Sequence, residues 1–319
     1  MARLPRVATM SESQRMLLTR LYYTVRPFVP RRLQIILRRQ AVLLKRFSTR
    51  SIWPIDERAA VPPEHWSGWP EGKQFALVLT HDVDTARGHE RCRELMHMED
   101  ALGFRSSFNF VPERYAVSSA LRLYLTDHGF EVGVHGLYHD GKLYDSREIF
   151  QSRAVRINEY LKEWNAVGFR SPSMQHNLEW ILDLDIEYDA STFDTDPFEP
   201  QSDGVRTIFP FIVHGGREGR SYVELPYTLP QDFTLFVLMG EGNIDVWKRK
   251  LDWLVTHGGM ALINTHPDYM NFSQGRPRTD EYSSKHYEDF LRHILRNYME
   301  LAWHVLPRDM ARFWATDRT

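Results

Sequence analysis

The sequence predicts an α/β fold in which helices cover a parallel sheet. Short apolar runs alternate with helix-like segments after residue 74, and such alternation favours βαβ units. Aspartates, histidines and an arginine follow directly on several of the apolar runs, where α/β folds collect their functional groups. With 319 residues, 42% of them hydrophobic, the chain can bury one α/β barrel or two smaller domains.

The predicted elements follow one another as repeated strand–helix units. The first strand is the apolar run 75–79, which precedes a helix at 89–102. Strands at 105–111, 130–134 and 166–169 are followed by helices at 118–128, 146–164 and 177–184. A strand at 186–190 precedes three β-rich segments, TIFPFIV, SYVELPY and FTLFVLM, a helix at 244–256, a strand at 260–264 and a helix through 281–301. This order predicts a largely parallel sheet with a less regular region after residue 190.

The first 50 residues form a basic arm on a protein whose net charge is only −2. They hold 12 of the 40 Lys and Arg residues and one acidic residue. Basic pairs recur every seven residues and therefore share one face of a predicted helix, with apolar residues roughly opposite. The pairs are Arg31-Arg32, Arg38-Arg39 and Lys45-Arg46, and the apolar residues are Leu33, Ile36, Leu37, Leu44 and Phe47.

Such a helix can make a peripheral contact with an anionic membrane, or it can pack its apolar stripe on the body and leave the arginines in water. Ile35 and Val42 fall on the basic face and favour the second alternative somewhat. Residues 53–74, rich in Pro and Trp, are predicted to be a connector that wraps onto the body. The predicted organisation is thus a helical basic N-terminal extension with its connector, residues 1–72, and a body, residues 73–319.

The composition also limits the cellular compartment and the classes of ligand that we expect. No apolar run reaches membrane-spanning length, no secretory signal is visible, and one cysteine, Cys92, fits a reducing compartment. We therefore expect a cytoplasmic protein, with a peripheral position at the inner face of the membrane as an option. A glycine-rich phosphate loop is missing and the body is acidic, so neither nucleotides nor nucleic acids are expected as ligands.

Two aspartates, Asp82 and Asp84, follow the first predicted strand. Because side chains alternate along an extended chain, both lie on the same face. Two carboxylates that close repel each other unless a cation or a proton lies nearby. The spacing predicts either a metal ion or a paired acid and base, and the alternative is a solvated turn with helix-capping aspartates.

Two histidines, His135 and His139, follow another predicted strand four residues apart. On a helical turn their imidazoles lie on one side and can bind the same ion. One carboxylate and two imidazoles, with the other positions open to water, are the ligands of a catalytic divalent metal, which can be zinc, cobalt, nickel or manganese. Arg170 and His266 follow two further strands and complete a cluster of functional groups at strand ends.

The motifs THDVD, HGLYH, RSP and INTH occur in an order that gives the chain a family likeness. From about residue 73 to 319 it resembles the polysaccharide deacetylases, the NodB-homology group of carbohydrate esterase family four. The resemblance implies a distorted (β/α) barrel and a metal-dependent hydrolase that removes an N-acetyl or O-acetyl group from a carbohydrate. The expected cytoplasmic location, together with the basic arm, suggests the hypothesis that this carbohydrate is on the way to a surface polysaccharide. Two positions depart from the family pattern, His81 in place of an aromatic residue and Gly136 in place of a hydroxyl residue.

The resemblance also implies a role for each motif residue. Asp82 would be the general base, and Asp84, His135 and His139 would bind the metal, with zinc as the first choice. Arg170 would hold down the pKa of Asp82, and His266, as imidazolium, would protonate the departing amine.

Two other functions stay open at this point. One is a metal-independent C–N hydrolase of the same fold that acts on a cyclic imide or ureide, although such enzymes usually have a degraded ligand set. The other is a non-catalytic glycan-binding or scaffold protein. Four polar residues of the less regular region are candidates either for the substrate groove or for ordinary core and turn positions: Asp189, Ser191, Glu224 and Asp232.

Overall fold

The computed structural model describes residues 31–215, 219–273 and 275–316. The helices are α1 (Arg31–Thr49), α2 (Ala86–Ala101), α3 (Ser119–Asp127), α4 (Arg147–Trp164), α5 (Leu178–Ile181), α6 (Asp245–Thr256), α7 (Lys285–Asn297) and α8 (Pro307–Thr316). The strands are β1 (Phe75–Val83), β2 (Ser107–Phe110), β3 (Glu131–His135), β4 (Gly168–Arg170), β5 (Tyr188–Asp189), β6 (Phe211–Gly215), β7 (Arg220–Glu224), β8 (Met260–Thr265), β9 (Met270–Asn271), β10 (Tyr282–Ser283) and β11 (Ala302–His304).

Most strands belong to one curled, largely parallel sheet. Strands β1 to β5 pair in chain order, β7 follows β5, and β8 pairs with β1. Strand β11 pairs with the start of β1, and β6 is antiparallel to β7. Bridges between Phe193 and Tyr227 and between Leu229 and Ile263 continue the pairing from the β5–β7 side toward β8. The distorted (β/α) barrel that the sequence predicted is confirmed.

Strand β1 pairs with β2, β8 and β11 and is buried along its whole length. A parallel strand covered on both faces needs a continuous apolar run, which 75–79 supplies. His81, near the end of β1, is also fully buried, and its hydrogen bonds to protein groups replace those that it would make with water. His81 Nδ1 lies 2.7 Å from Thr265 Oγ1, and its Nε2 lies 2.8 Å from Glu99 Oε1.

Two of the predicted elements are wrong. The segment FTLFVLM, predicted as β-rich, forms a π-helical turn over Phe233–Leu238. All six residues of the turn are buried, so they show no periodicity that could separate a helix from a strand. The predicted helix through 281–301 is the short strand β10, followed by the shorter helix α7.

Helix α1 packs on the body with its basic face, the reverse of the predicted packing. Ile35 and Val42 on that face are buried. Arg39 donates from Nε to the carbonyl of Val237 at 2.8 Å, and Arg46 pairs with Glu241 at 2.6 Å. Arginine can bury its stem while its guanidinium finds acceptors, which is why charge alone did not reveal the buried face.

The connector covers one end of the body. It contains two 3₁₀ turns, Glu57–Ala60 and Pro70–Gly72, and both Trp53 and Trp69 are buried. The indole of Trp69 donates to the carbonyl of Gly258 at 2.8 Å. The domain boundary at residue 72 stays a prediction. Within the described ranges, none of the helices has the length and apolarity needed to cross a membrane.

Candidate active site

The functional residues predicted from the sequence meet at one edge of the sheet. Asp82 and Asp84 come from the end of β1, His135 from the end of β3 and Arg170 from the end of β4, and His266 follows β8. Because these strands are parallel, their carboxyl ends lie at the same mouth of the barrel. The structure therefore brings together the groups that lie far apart in the sequence.

Three of these residues form a group that can bind a metal ion. His139 Nε2 lies 3.0 Å and His135 Nε2 lies 3.4 Å from Asp84 Oδ1. One ligand atom from each residue lies within 4.8 Å of the other two. His135 Nδ1 lies 3.0 Å from the carbonyl of Arg170. A carbonyl can only accept, so Nδ1 donates this hydrogen bond and Nε2 is the ring nitrogen that faces Asp84.

The donor set fits a divalent cation. Asp84 Oδ1 is buried and accepts no hydrogen bond from the described residues. A buried, unsatisfied carboxylate oxygen is costly unless a cation or a proton compensates it. Burial alone would raise the pKa of Asp84, but His139 and His135 hold it well below its usual value. The ionised carboxylate and two imidazole nitrogens could therefore hold a divalent ion together.

The turn between the two histidines explains one departure from the family pattern. Gly136 has φ +62° and His139 has φ +56°, so the chain folds back sharply after His135. A Cβ at Gly136 would overlap the ring of Pro172, which belongs to the RSP motif. A side chain of any kind at position 136 would therefore disturb the path that brings His139 back to Asp84.

Asp82 is held next to the metal-binding group by amides and by Arg170. Asn109 Nδ2 donates to Oδ1 at 3.1 Å, and Asn264 Nδ2 donates to Oδ2 at 2.8 Å. Arg170 Nη1 lies 3.5 Å from Oδ1. Burial alone would raise the pKa of Asp82, but His135, Arg170 and the other neighbours lower it. The ionised carboxylate can accept a proton.

Arg170 is itself fixed in the barrel interior. The side chain is fully buried, and its Nε donates to the carbonyl of Ala190 at 2.8 Å. Its Nη1 donates to Thr80 Oγ1 at 2.8 Å. These contacts leave the guanidinium little freedom, so it acts on Asp82 as a fixed positive charge.

His266 follows β8, the strand that pairs with β1, and lies against Asp232. Its Nδ1 lies 2.7 Å from Asp232 Oδ1, and its backbone N–H donates to Oδ2 at 2.8 Å. Tyr282 donates to the same Oδ2 at 3.0 Å. Burial alone would lower the pKa of His266, but Asp232, with Asp84 and Asp82 behind it, raises it to about 10. His266 is therefore an imidazolium at neutral pH and can donate a proton.

Three residues that support the site were not foreseen as parts of it. Asn109 and Asn264 hold Asp82, and Asp232, which the sequence left among groove and core candidates, orients His266. Each Asn is an amide within an apolar strand, which is the signal that could have pointed to them. Asp232 lies 34 residues from His266 and carries no spacing signal.

The loop after His266 is tied to the loop of the metal ligand. The backbone N–H of Asp84 donates to Asp268 Oδ2 at 2.8 Å, and Tyr269 donates to Asp84 Oδ2 at 3.3 Å. Gly88 at the start of α2 allows Asp268 to approach this closely, since a Cβ there would overlap the carboxylate. The loop that carries His266 and the residue Asp84 are thus held together by hydrogen bonds.

The remaining groove candidates are buried in the core. Asp189 accepts from Ser191 Oγ at 2.6 Å, and Glu224 accepts from Thr192 Oγ1 at 2.6 Å. Asp189, Ser191 and Glu224 are fully buried, so they do not line a surface open to solvent. Of the two roles left open by the sequence, the structure favours the core role for these three.

The fold is shared with solved structures of low sequence identity. A protein from Mycobacterium smegmatis, named as a polysaccharide deacetylase, has 19% identity and a TM-score of 0.57, and the match covers 81% of this chain and 96% of that one. PuuE allantoinase has 15% identity and a TM-score of 0.58, with 83% and 98% covered. A protein from Pseudomonas aeruginosa PAO1, also named as a polysaccharide deacetylase, has 14% identity and a TM-score of 0.57, with 78% and 94% covered.

These neighbours confirm the predicted resemblance at the level of the fold. The chain has the NodB-type fold of the polysaccharide deacetylases. No protein-family model and no curated protein sequence matches it. Because an allantoinase shares the fold, the choice of reaction depends on the side chains at the barrel mouth.

Proposed function

We propose that the protein is a metal-dependent hydrolase that removes the acetyl group from an N-acetylated or O-acetylated carbohydrate. The observation that carries this proposal is the largely buried group of Asp84, His135 and His139 at the strand ends that also hold the ionised Asp82 and the protonated His266. Ligands, a base and an acid in one cleft are the parts that hydrolysis of an amide or ester needs.

A divalent ion held by Asp84, His135 and His139 would polarise the acetyl carbonyl and acidify a water molecule. Asp82 accepts a proton from the attacking water, since Arg170 and two amides keep its carboxylate ionised and in place. His266 delivers its proton to the nitrogen or oxygen that leaves the acetyl group. Asp232 holds that imidazolium in position. Its negative charge also favours the uptake of a new proton by His266 after each turnover.

Zinc is the first choice of metal, and cobalt, nickel and manganese suit the same ligands. The test is metal analysis of the purified protein together with acetate release from a panel of N-acetylated and O-acetylated sugars. We expect one equivalent of metal, activity that a chelator removes and zinc restores, and no loss in the control variant His97→Ala on the exposed face of α2.

The second candidate is metal-independent hydrolysis of a cyclic ureide, which the shared fold of PuuE allantoinase favours. Hydrolysis of such a compound by metal-free protein, without acetate release from any sugar, would replace the proposal. Glycan binding without turnover of either substrate class would make the protein a non-catalytic glycan-binding protein.

We also propose that the reaction takes place in the cytoplasm, at the inner face of the membrane, on an acetamido sugar destined for a surface polysaccharide. The basic arm and the buried, unpaired thiol of Cys92 support this location. Fractionation of the native host tests it. Recovery of the protein only from the periplasm or the medium would contradict it.

A further inference from the structure

Helix α1 carries an apolar surface that faces away from the body, which we name the apolar stripe. It consists of Leu33, Ile36, Leu37, Leu43, Leu44 and Phe47. Each of them is at least 46% exposed, and Leu44 reaches 78%. At 3.6 residues per turn they occupy an arc of about 120°, interrupted only by Gln40. Single exposed apolar side chains are ordinary, but a contiguous set on one helix face marks a contact surface.

The apolar stripe cannot be turned into the core while α1 stays docked. The opposite face holds Ile35 and Val42, which are buried on the body. Arg39 also donates to the carbonyls of Val237 and Thr279, at 2.8 and 3.2 Å, and Arg46 pairs with Glu241. Because these contacts fix the rotation of the helix about its own axis, the apolar stripe faces away from the body.

The charge around the apolar stripe indicates what covers it. Arg32 and, just past the end of the helix, Arg50 are exposed and lie along one edge of the stripe. Lys45 is exposed farther round the helix, and α1 contains no acidic residue. The guanidinium of Arg50 lies 5.1 Å from the ring centre of Phe47, the last member of the stripe. An apolar arc with arginines along one edge, on a helix without acidic residues, suits the interface of an anionic bilayer, where the apolar side chains enter the acyl boundary and the cations meet phosphates.

The same helix lies close to the candidate active site. The guanidinium of Arg38 lies 4.9 Å from the ring centre of Phe233, and that ring lies 4.5 Å from the ring of Tyr269. Tyr269 in turn donates to the metal-binding Asp84. Two aromatic side chains therefore separate α1 from the ligand group.

We propose that α1 docks on an anionic lipid bilayer through the apolar stripe and holds the barrel mouth at the membrane surface, where the substrate is a lipid-linked acetylated saccharide. The part about the substrate rests on the proposed function, whereas docking does not. The basic face of α1, which could have met the membrane under one of the two alternatives that the sequence left open, instead joins the helix to the body.

The test is co-sedimentation of the full chain with vesicles of phosphatidylcholine and phosphatidylglycerol, and with vesicles of phosphatidylcholine alone. We expect binding to the anionic vesicles and a loss of about tenfold or more in the double variant Leu37→Glu/Leu44→Glu. The matched control is Leu123→Glu, which changes an exposed apolar residue on α3 and should bind as the parent does. Equal binding by the double variant, or no binding by the parent, would overturn the proposal.

A second measurement reports what covers the apolar stripe. Leu44→Cys can be labelled selectively with a polarity-sensitive fluorophore because Cys92 is buried. We expect emission typical of water in solution and a shift to an apolar environment on adding anionic vesicles only. An apolar signal without vesicles would mean that residues 1–30 or a second copy of the chain covers the stripe, which overturns the proposal.

The two proposals fail in distinguishable ways. The double variant should deacetylate a soluble acetylated sugar at the parental rate, because its substitutions lie outside the site. Acetate release without vesicle binding contradicts docking and leaves the proposed function standing. Vesicle binding without hydrolysis of any acetylated sugar, soluble or lipid-linked, contradicts the proposed function and leaves docking standing.

Discussion

The barrel mouth and helix α1 place their charged and apolar side chains in opposite ways. At the mouth, Asp82, Arg170 and His266 are buried and held by hydrogen bonds, so the charges lie inside the protein. On α1, arginines anchor the helix to the body while leucines face outward. Charged side chains can thus be buried to build a candidate site in one region, and partly exposed to attach a helix in another. At the barrel mouth the charged side chains lie close to one another, whereas on α1 each arginine contacts a separate acceptor.

The largest effect is expected at the ligands of the mouth. His135→Ala or His139→Ala leaves two protein ligands, which hold a divalent ion poorly, so turnover should fall below detection. The metal content of each purified variant, together with its acetate release, provides the check. His97→Ala is the control for loss of an imidazole elsewhere. Full metal occupancy in both variants would remove these histidines from the site.

A smaller effect is expected at Asp232, which acts through His266. Asp232→Asn removes the charge that raises the pKa of His266, so burial should lower that pKa and the imidazolium should lose its proton at a lower pH. The alkaline limb of the pH–rate profile should therefore move to lower pH, with a loss of about tenfold to a hundredfold near neutral pH. An unchanged alkaline limb would show that His266 is not the acid.

The turn at Gly136 tests how tightly the mouth is built. Gly136→Ser restores the residue type common in the family. In this structure, however, the serine must adopt a positive φ and displace Pro172. We therefore expect the variant to lose about 1–3 kcal/mol of stability and to bind metal more weakly. Gly103→Ala is the control, since Gly103 has φ +79° with open space around it. Denaturant unfolding and metal titration measure the two effects. A Gly136→Ser protein with parental stability and metal affinity would contradict the turn's role.

The smallest effects separate the two faces of α1. Ile35→Ala removes a buried side chain and should lower the free energy of unfolding by about 2 kcal/mol, or else expose α1 to proteolysis. Leu37→Ala removes an exposed side chain and should change the free energy of unfolding by less than about 0.5 kcal/mol. Denaturant unfolding and limited proteolysis at Arg38 and Arg39 distinguish the variants. A larger loss in Leu37→Ala than in Ile35→Ala would reverse the assignment of the faces.

The contrast between the barrel mouth and helix α1 also explains how much of the structure the sequence could predict. Asp84, His135 and Arg170 follow short buried strands, and a parallel sheet brings such positions to one edge whatever the details of packing. Asp232 could not be paired with His266 because it caps a π-helical turn whose largely apolar sequence was predicted as β. The buried face of α1 depends on the acceptors that the body offers, among them the carbonyl of Val237, and a charge pattern carries no information about those.

The most direct test of the central claim is to compare Asp82→Asn with Asp84→Asn. Asp84 alone of the two belongs to the ligand group, while Asp82 is held by amides as a base. We expect Asp82→Asn to keep the metal and to lose about a hundredfold to ten-thousandfold in acetate release, and Asp84→Asn to lose the metal itself. Metal retention with normal turnover in both variants would contradict the metal-dependent mechanism, and a loss of metal in Asp82→Asn alone would exchange the two roles.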